Sequence, residues 1–354
     1  MSAEARIQLA PLPVGKESVI HIWLQVFYQC EAGIVQEVRR LLHHSAPTLQ
    51  DAAAVSDAET KLNLKLADQQ RAAVMQALSM GTHIITGGPG TGKSTITRVI
   101  LQIAKQYTKN ILLAAPTGRA AKRLSEITGQ QAQTIHSLLE YDFSIGGFRR
   151  NREHPLDTGM LIIDEASMID TVLMYNLLKA VPEGAKLLFI GDVDQLPSVG
   201  AGTVLSDLIH SNKIPYTRLT EVFRQAAASR IIRSAHDINR GRLPDLRIDA
   251  EADFFFIQEE DPDGIANTIA GLVKTRLPAK YGFKPKTDIQ VLTPMNRGRL
   301  GTRALNEDLQ AILNPSTDPL TKLGRTFHLS DKVMQLRNDY NKEVFNGDIG
   351  YITG

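Results

Sequence analysis

Four short apolar runs stand out along this chain: "HIITG" at 83–87, "ILLAAP" at 111–116, "MLIID" at 160–164 and "KLLFIGD" at 186–192. Each is apolar at successive positions, as strands covered on both faces must be. Segments with helical spacing separate them, and this alternation from about residue 66 predicts a parallel sheet with helices on both sides. "YTRLTEVFR" at 216–224 is a candidate further strand. Ahead of the sheet, Ile20, Trp23, Leu24, Phe27, Ile34, Val35, Val38 and Leu42 recur at mostly helical spacing, which predicts one long helix or a broken pair over 17–44. Pro47 and the small residues "DAAAVSDA" follow as a linker or a loose helix. A second block starts near 226. There "ADFFFIQ" and "DIQVLTP" have strand character, while "GIANTIAGLVKTRL" and "GTRALNEDLQAILNP" have helical character. The last stretch, from Asp331, has strand-like pieces around an Asn346–Gly347 turn.

Composition narrows the picture little. At 354 residues, 43% hydrophobic and 22% charged, the chain has the length of about two globular domains. Its net charge of +2 says nothing for or against nucleic acid, so only local clustering can speak to that. The single cysteine, Cys30, lies in an apolar helical run where packing explains it, and no disulfide can form within the chain. No apolar run approaches a bilayer span and the first residues lack a signal peptide's pattern, so the expectation is a cytoplasmic protein with no membrane partner.

Chemistry concentrates at the ends of the apolar runs. "GGPGTGKST", Gly87, Gly88, Pro89, Gly90, Thr91, Gly92, Lys93, Ser94 and Thr95, fits the phosphate-binding loop with a strand before it and a helix after it. Glycines let backbone N–H groups curl around phosphate oxygens, and the helix N-terminus adds its positive dipole end. Lys93 is placed to reach the β- and γ-phosphates, and Ser94 to ligate Mg²⁺. Asp164 and Glu165 close the run "MLIIDE", the first suited to holding Mg²⁺ and the second to taking a proton from the attacking water. Gln195, in "GDVDQLP", either meets the γ-phosphate and that water or caps the turn at Pro197; spacing does not choose. The expected cofactors are therefore a nucleoside triphosphate and Mg²⁺.

Taken in order, "GGPGTGKST", "APTGRAA", "TIHSLL", "IIDEASMID", "GDVDQLPSVGAG" and "LTEVFRQ" resemble the motifs of superfamily 1 DNA helicases, and in wording the RecD-like helicases, the exodeoxyribonuclease V alpha-subunit group. "VLTPMNRGRLGTRALNEDLQAILNP" and "VMQLRNDYNKEVFNGDIG" look like that group's second motor domain. The resemblance covers about 66–354. It implies an α/β P-loop NTPase made of an N-terminal helical segment (1–60), a first RecA-like domain (61–225) and a second, incomplete RecA-like domain (226–354). Gln70, in "LADQQRAAV", matches the glutamine that reads adenine, Gln195 the γ-phosphate sensor, and Arg224 an arginine that touches the γ-phosphate from the second domain's edge. Pro116, Thr117, Arg119 and His136, and in the second domain Thr293, Arg297 and Asn306, match positions that track single-stranded DNA.

Two basic stretches bear on the DNA path. Residues 271–303 carry Lys274, Arg276, Lys280, Lys284, Lys286, Arg297, Arg299 and Arg303 against Asp288 alone, an excess suited to a backbone-tracking groove. The loop "GGFRRNREHP", with Arg149, Arg150 and Arg152, is a candidate contact for DNA or for a neighbouring domain. The function implied is an ATP-driven helicase or translocase on single-stranded DNA or tailed duplex, moving 5′→3′ in repair or recombination, alone or with recombination-nuclease subunits. RecD-like helicases continue past this chain's last motif, with a small barrel, a motif like "HKSQG" and a further arginine motif. Residues 325–354 contain neither motif, so a partial chain is expected and full unwinding is not assigned to these residues alone. The rival readings are a P-loop ATPase or kinase with a non-nucleic-acid substrate, and a non-catalytic helicase-like subunit.

Overall fold

The structure, a computed structural model, describes residues 7–14, 17–43, 52–142, 144–221, 229–247, 252–322, 324–336, 339, 342, 344 and 346–353. Two compact units divide the chain: Met1–Asp245 with Glu251–Phe254, and Leu246–Ala250 with Phe255–Gly354.

The first unit is built on a six-stranded sheet. Its strands are β3 (Thr82–Gly87), β4 (Ile111–Ala115), β5 (Ala132–Thr134), β8 (Met160–Ile163), β9 (Lys186–Gly191) and β10 (Tyr216–Leu219), in the spatial order β10-β3-β9-β8-β4-β5. Every neighbouring pair is parallel. All four apolar runs are strands, and the candidate at 216–224 supplies β10. Alternate residues of each strand feed two cores. Ile84, Leu161, Ile163, Leu187 and Phe189 face α7 (Thr171–Ala180) and α1 (Gln25–His43). Ile85, Leu113, Ile162, Leu188 and Ile190 face α2 (Ala52–Lys61), α3 (Asp68–Ser79) and α4 (Lys93–Ala104). Two-sided burial is why the strands read as continuous apolar runs rather than alternating ones.

The N-terminal segment differs from the helical expectation. Ile7–Val14 (β1) and Glu17–Leu24 (β2) pair as an antiparallel hairpin, and the helix begins only at Gln25. The residues that mimicked helical spacing, Ile20, Trp23 and Leu24, lie on a strand in which Ile20 and Leu24 share a face with Ile22, while Trp23 turns to α1 and donates to Glu31. A period-2 pattern and a period-3.6 pattern coincide over such a short span, and the hairpin's β-branched residues tip the balance. Helix α1 then lies along α7, where Gly33 stands against the Tyr175 ring so closely that an added Cβ would meet its Cε2 at 2.2 Å.

Beyond β5, α6 (Ile135–Leu138) leads into a small hairpin of β6 (Tyr141–Asp142) and β7 (Gly147–Phe148). Further on come α8 (Val204–His210) and α9 (Arg230–Asn239).

The second unit holds α10 (Pro262–Gly271), a π turn over Leu272–Arg276, α11 (Leu277–Tyr281) and α12 (Thr302–Leu313). Pro278 has no N–H to offer the preceding turn, which accounts for the irregular step there. Its described strands form two two-stranded sheets, β11 (Leu320–Lys322) with β12 (Arg325–Phe327) and β13 (Lys332–Met334) with β14 (Ile349–Tyr351). "DIQVLTP" and "ADFFFIQ", expected as strands, contain no strand. Asp331 knots this unit together: its carboxylate accepts from Asn314 Nδ2 at 2.7 Å and from the His328 N–H at 2.7 Å, fastening α12 to the strands beyond it.

Candidate nucleotide site

The parallel order brings the expected groups to one edge. β9 lies between β3 and β8, so the loops leaving the carboxyl ends of these strands are neighbours, the usual place for a ligand in such a sheet. The phosphate-binding loop leaves β3, Asp164 and Glu165 follow β8, and the turn with Asp192, Asp194 and Gln195 follows β9.

The loop's glycines serve different purposes. Gly90 and Gly92 have φ of 77° and 81°, which only glycine adopts freely, and Gly92 is the residue from which α4 starts. Gly87 is needed for closeness: a Cβ there would fall 2.8 Å from the Cβ of Leu219 on β10. Lys93 Nζ donates to the carbonyls of Gly87 and Gly88, the latter at 3.2 Å, so the lysine folds back onto its own loop. Thr91 Oγ1 donates to the Gly88 carbonyl at 2.8 Å. Ser94 is exposed and Thr95 half-buried, both in the first turn of α4.

Gln70 is buried on α3. Its Nε2 donates to the Thr91 carbonyl at 3.0 Å, and its Oε1 accepts from the Ala67 N–H at 3.1 Å. Sequence reading passed over the adjacent Gln69, which clasps the end of β10. Its Oε1 accepts from the N–H groups of Thr220 at 2.9 Å and Glu221 at 3.1 Å, and its Nε2 donates to the Arg218 carbonyl at 3.1 Å.

Both acids are pushed up from the ordinary carboxylate range. For Asp164 the cause is burial, opposed by the hydrogen bond from the Glu165 N–H (3.0 Å) and by the charges of Lys93 and Arg123. For Glu165 it is burial and then the Asp164 charge, with Lys93 and Arg123 pulling the other way. Lys93 thus acts on both carboxylates. Arg123 belongs to the same electrostatic field. Glu165 is held at φ 51°, a left-handed conformation that costs a non-glycine residue about 1 kcal/mol. Its Oε2 is buried without a hydrogen-bond partner, as is the Oγ of Ser167 two residues on. Such unpaired polar atoms mark a site arranged for something other than its own stability.

Gln195 sits on an exposed turn at this edge. The turn is tied down on three sides. Val193 N donates to Thr86 Oγ1 on β3 at 3.3 Å, Arg218 of β10 pairs with Asp194 at 3.1 Å, and the Ala201 carbonyl accepts from the Thr171 N–H at 2.9 Å. Between these anchors Leu196 is 88% exposed, so the segment bearing Gln195 is free to meet a ligand. Arg224 lies outside the described residues.

The expected DNA-tracking residues of the first unit follow β4 and β5. Thr117 caps α5 (Gly118–Thr128), its Oγ1 accepting from the Ala120 N–H at 3.2 Å; Pro116 is half-buried and Arg119 exposed. His136 is exposed on α6 and its ring lies 6.1 Å from Tyr141 and 5.6 Å from Phe148. Burial lowers its pKa. The basic loop, a candidate contact for DNA or a neighbouring domain, has its arginines paired with acids. Arg149 pairs with Asp142 at 2.6 Å, Arg150 with Glu140 at 2.6 Å and Arg152 with Glu37 at 2.5 Å. These acids lie elsewhere in sequence, so the loop's excess charge could not be seen to cancel.

In the second unit, Thr293 Oγ1 donates to the Leu300 carbonyl at 2.6 Å, and Arg297 and Asn306 are exposed. Part of the basic excess there is also spent internally. Arg299 pairs with Asp263 (2.6 Å) and Asp308 (2.5 Å), and Lys286 Nζ donates to Asn314 Oδ1 and the Ser330 carbonyl.

A parallel sheet whose first strand feeds a glycine loop and helix, with an acid pair ending a strand two places away, makes this an α/β P-loop NTPase. Comparisons narrow the class. An AAA domain matches residues 70–201, and the ATP-dependent RecD-like DNA helicase SH3 domain matches 305–354, a stretch the sequence reading had placed in the second RecA-like domain. The ATP-dependent RecD2 DNA helicase of Deinococcus radiodurans is 38% identical over 336 residues, covering 94% of this chain and 44% of that protein. The RecBCD enzyme subunit RecD of Mycobacterium tuberculosis is 31% identical over 322 residues, covering 80% and 55%. The ATP-dependent DNA helicase dda of phage T4 is 34% identical over 180 residues, covering 48% and 40%. By sequence the chain is similar to the RecD-like helicases. It spans about half the length of the curated relatives it matches. Among the described residues no helix is long and apolar enough to cross a membrane.

Proposed function

We propose that this chain carries the ATP-hydrolysing site and part of the DNA path of an ATP-dependent DNA helicase. The observation that carries the reading is the meeting of Lys93, Asp164 and Glu165 at one sheet edge, where the lysine's charge acts on both acids. Lys93, released from the carbonyls of Gly87 and Gly88, binds the β- and γ-phosphates, and the loop's N–H groups with the α4 N-terminus hold the rest of the chain. Glu165 orients the attacking water and takes its proton, and Gln195 senses the γ-phosphate. Arg224 supplies positive charge to the transferring group. Gln70 is assigned to the adenine end, with its hold on Thr91 linking base and phosphate loop.

Asp164 suits Mg²⁺: it is a half-buried carboxylate whose one hydrogen bond among the described residues comes from a backbone N–H, and burial raises its proton affinity. With Ser94 it would hold the ion, whose contribution is to neutralise phosphate charge.

For DNA, the reading rests on Pro116, Thr117, Arg119 and His136 in the first unit and on Thr293, Arg297 and Asn306 in the second. Hydroxyl and guanidinium groups suit phosphates, and the His136 ring with Tyr141 and Phe148 beside it suits base stacking. Movement 5′→3′, a role in repair or recombination, and nuclease subunits as partners complete the proposal. ATPase activity measured with and without an oligothymidine strand tests it. The expected result is hydrolysis that rises with the strand and disappears in Lys93→Ala. Hydrolysis indifferent to DNA would favour a P-loop ATPase with another substrate, and tight ATP binding without hydrolysis would favour a non-catalytic subunit.

A further inference from the structure

Gly88 has no conformational reason to be glycine, since its φ is not among the positive values that fix Gly90 and Gly92. Its reason is a neighbour 148 positions away in sequence. A Cβ on Gly88 would stand 3.0 Å from Cε1 of His236, with Nε2 at 3.8 Å and Nδ1 at 3.9 Å. The imidazole of α9 therefore lies edge-on against the phosphate-binding loop, filling the space a side chain would take.

Two further observations bear on what the ring does there. His236 Nε2 is buried and has no hydrogen-bond partner. Of the four such side-chain atoms among the described residues, two others belong to Glu165 and Ser167, which follow β8, two places from β3; His83 is the exception. Gly88 is also the residue whose carbonyl Lys93 Nζ holds at 3.2 Å. Lysine and histidine thus flank one loop residue, one on its carbonyl and one on its Cα. An anion that draws Lys93 away from that carbonyl arrives beside the imidazole, whose Nε2 has no other hydrogen-bond partner.

Nor does α9 rest against the loop by accident of a frayed end. Ser229 caps it, accepting from the Ile232 N–H at 3.3 Å, and the Asp253 carboxylate accepts from the N–H groups of Arg230 at 2.7 Å and Ile231 at 3.2 Å. Arg230 is buried and donates to the Asp245 carbonyl at 2.9 Å. These bonds fix the helix that aims the ring.

We propose that His236 is a phosphate-contact residue of the nucleotide site, donating from Nε2 to the polyphosphate chain of the bound nucleotide beside Gly88. The inference rests on the reading of the loop as a triphosphate site. It adds a ligand from outside the recognised motifs, on the helix that follows the segment containing Arg224.

The test is competition of ATP, ADP and inorganic tripolyphosphate against a fluorescent ATP analogue on the full chain, for wild type, Lys93→Ala, His236→Ala and His236→Gln. His236→Ala is expected to weaken ATP and tripolyphosphate by the same factor, about tenfold (about 1.4 kcal/mol). His236→Gln, whose amide can still donate, is expected to recover a substantial part, and the nucleotide-free melting temperature of both variants is expected to match wild type or exceed it. Equal affinity for ATP and tripolyphosphate in wild type and His236→Ala would overturn the proposal, as would a loss confined to ATP, which would place the ring on the nucleoside. A lower melting temperature with affinity lost equally in His236→Ala and His236→Gln would also overturn it, by making the ring only a prop. If wild type itself bound neither ATP nor tripolyphosphate, the triphosphate reading would fall first. If Lys93→Ala lost binding and His236→Ala did not, only the present inference would fall.

Discussion

Glu165→Gln should separate catalysis from stability in opposite directions. In the nucleotide-free chain Glu165 bears three penalties: a left-handed backbone, a buried Oε2 with no partner, and the charge of Asp164 next to it. Glutamine keeps the backbone and the size, so only the charge terms change. What the substitution removes is the cost of ionising a half-buried carboxyl beside the Asp164 charge, on the order of 1 kcal/mol. The variant should therefore be about 1 kcal/mol more stable without nucleotide, which corresponds to roughly 2–4 °C in Tm for a unit of this size. Removing a general base should slow hydrolysis by roughly 10²- to 10⁴-fold while ATP still binds. The pH dependence has a definite sign. The folded carboxyl titrates above its unfolded value, so ionisation works against the fold. That penalty is absent below the ordinary glutamate range, grows as pH rises towards the folded value, and is complete above it. The Tm gap between variant and wild type should thus be widest at neutral pH and close on acidification. Thermal unfolding across pH, paired with steady-state phosphate release, checks both halves. A variant that melts lower than wild type at neutral pH, or that hydrolyses ATP at close to the wild-type rate, would refute the reasoning.

Other perturbations reach different parts of the first unit. Gly33→Ala forces a methyl into the Tyr175 ring and should destabilise by about 1–3 kcal/mol, read by urea unfolding, with relief when Tyr175 is also cut to alanine. Glu37 is buried and paired with Arg40 at 2.7 Å, and Arg40 in turn donates to the carbonyls of Leu178 and Val181, both at 2.9 Å. Glu37→Ala leaves that half-buried guanidinium short of its partner and should cost about 3 kcal/mol, with Arg152 freed as well. His83, pushed down to about 4 by burial, is neutral in the fold but protonates when unfolded, so its burial costs stability progressively as pH falls from about 6.5 to 4. His83→Gln, which can keep a bond to Thr217 Oγ1, should remove that part of the acid sensitivity in thermal melts.

The nucleotide half of the molecule was legible because its chemistry is local. Strand, glycine loop and helix lie within some twenty residues, and two-sided burial writes itself into continuous apolar runs. Residues acting across long separations were not legible. Nothing near Gly88 announces His236, and nothing in "LADQQ" says which glutamine holds the loop and which holds β10. The charge of Arg149, Arg150 and Arg152 looked available because Asp142, Glu140 and Glu37 meet it only through folding. The N-terminal hairpin was missed because a strand of eight residues supplies too few positions for its period to be told from a helix's.

Gln69 and Gln70 stand side by side on α3 yet grip different parts, one the backbone just past β10 and the other the Thr91 carbonyl. Consecutive helical residues point about 100° apart, so a single rigid rod yokes two pieces of machinery in fixed angular phase. An inserted residue between them would swing one amide out of reach while leaving composition and helix intact. The pair's spacing, rather than either glutamine alone, couples the mouth of the site to the chain that leaves it.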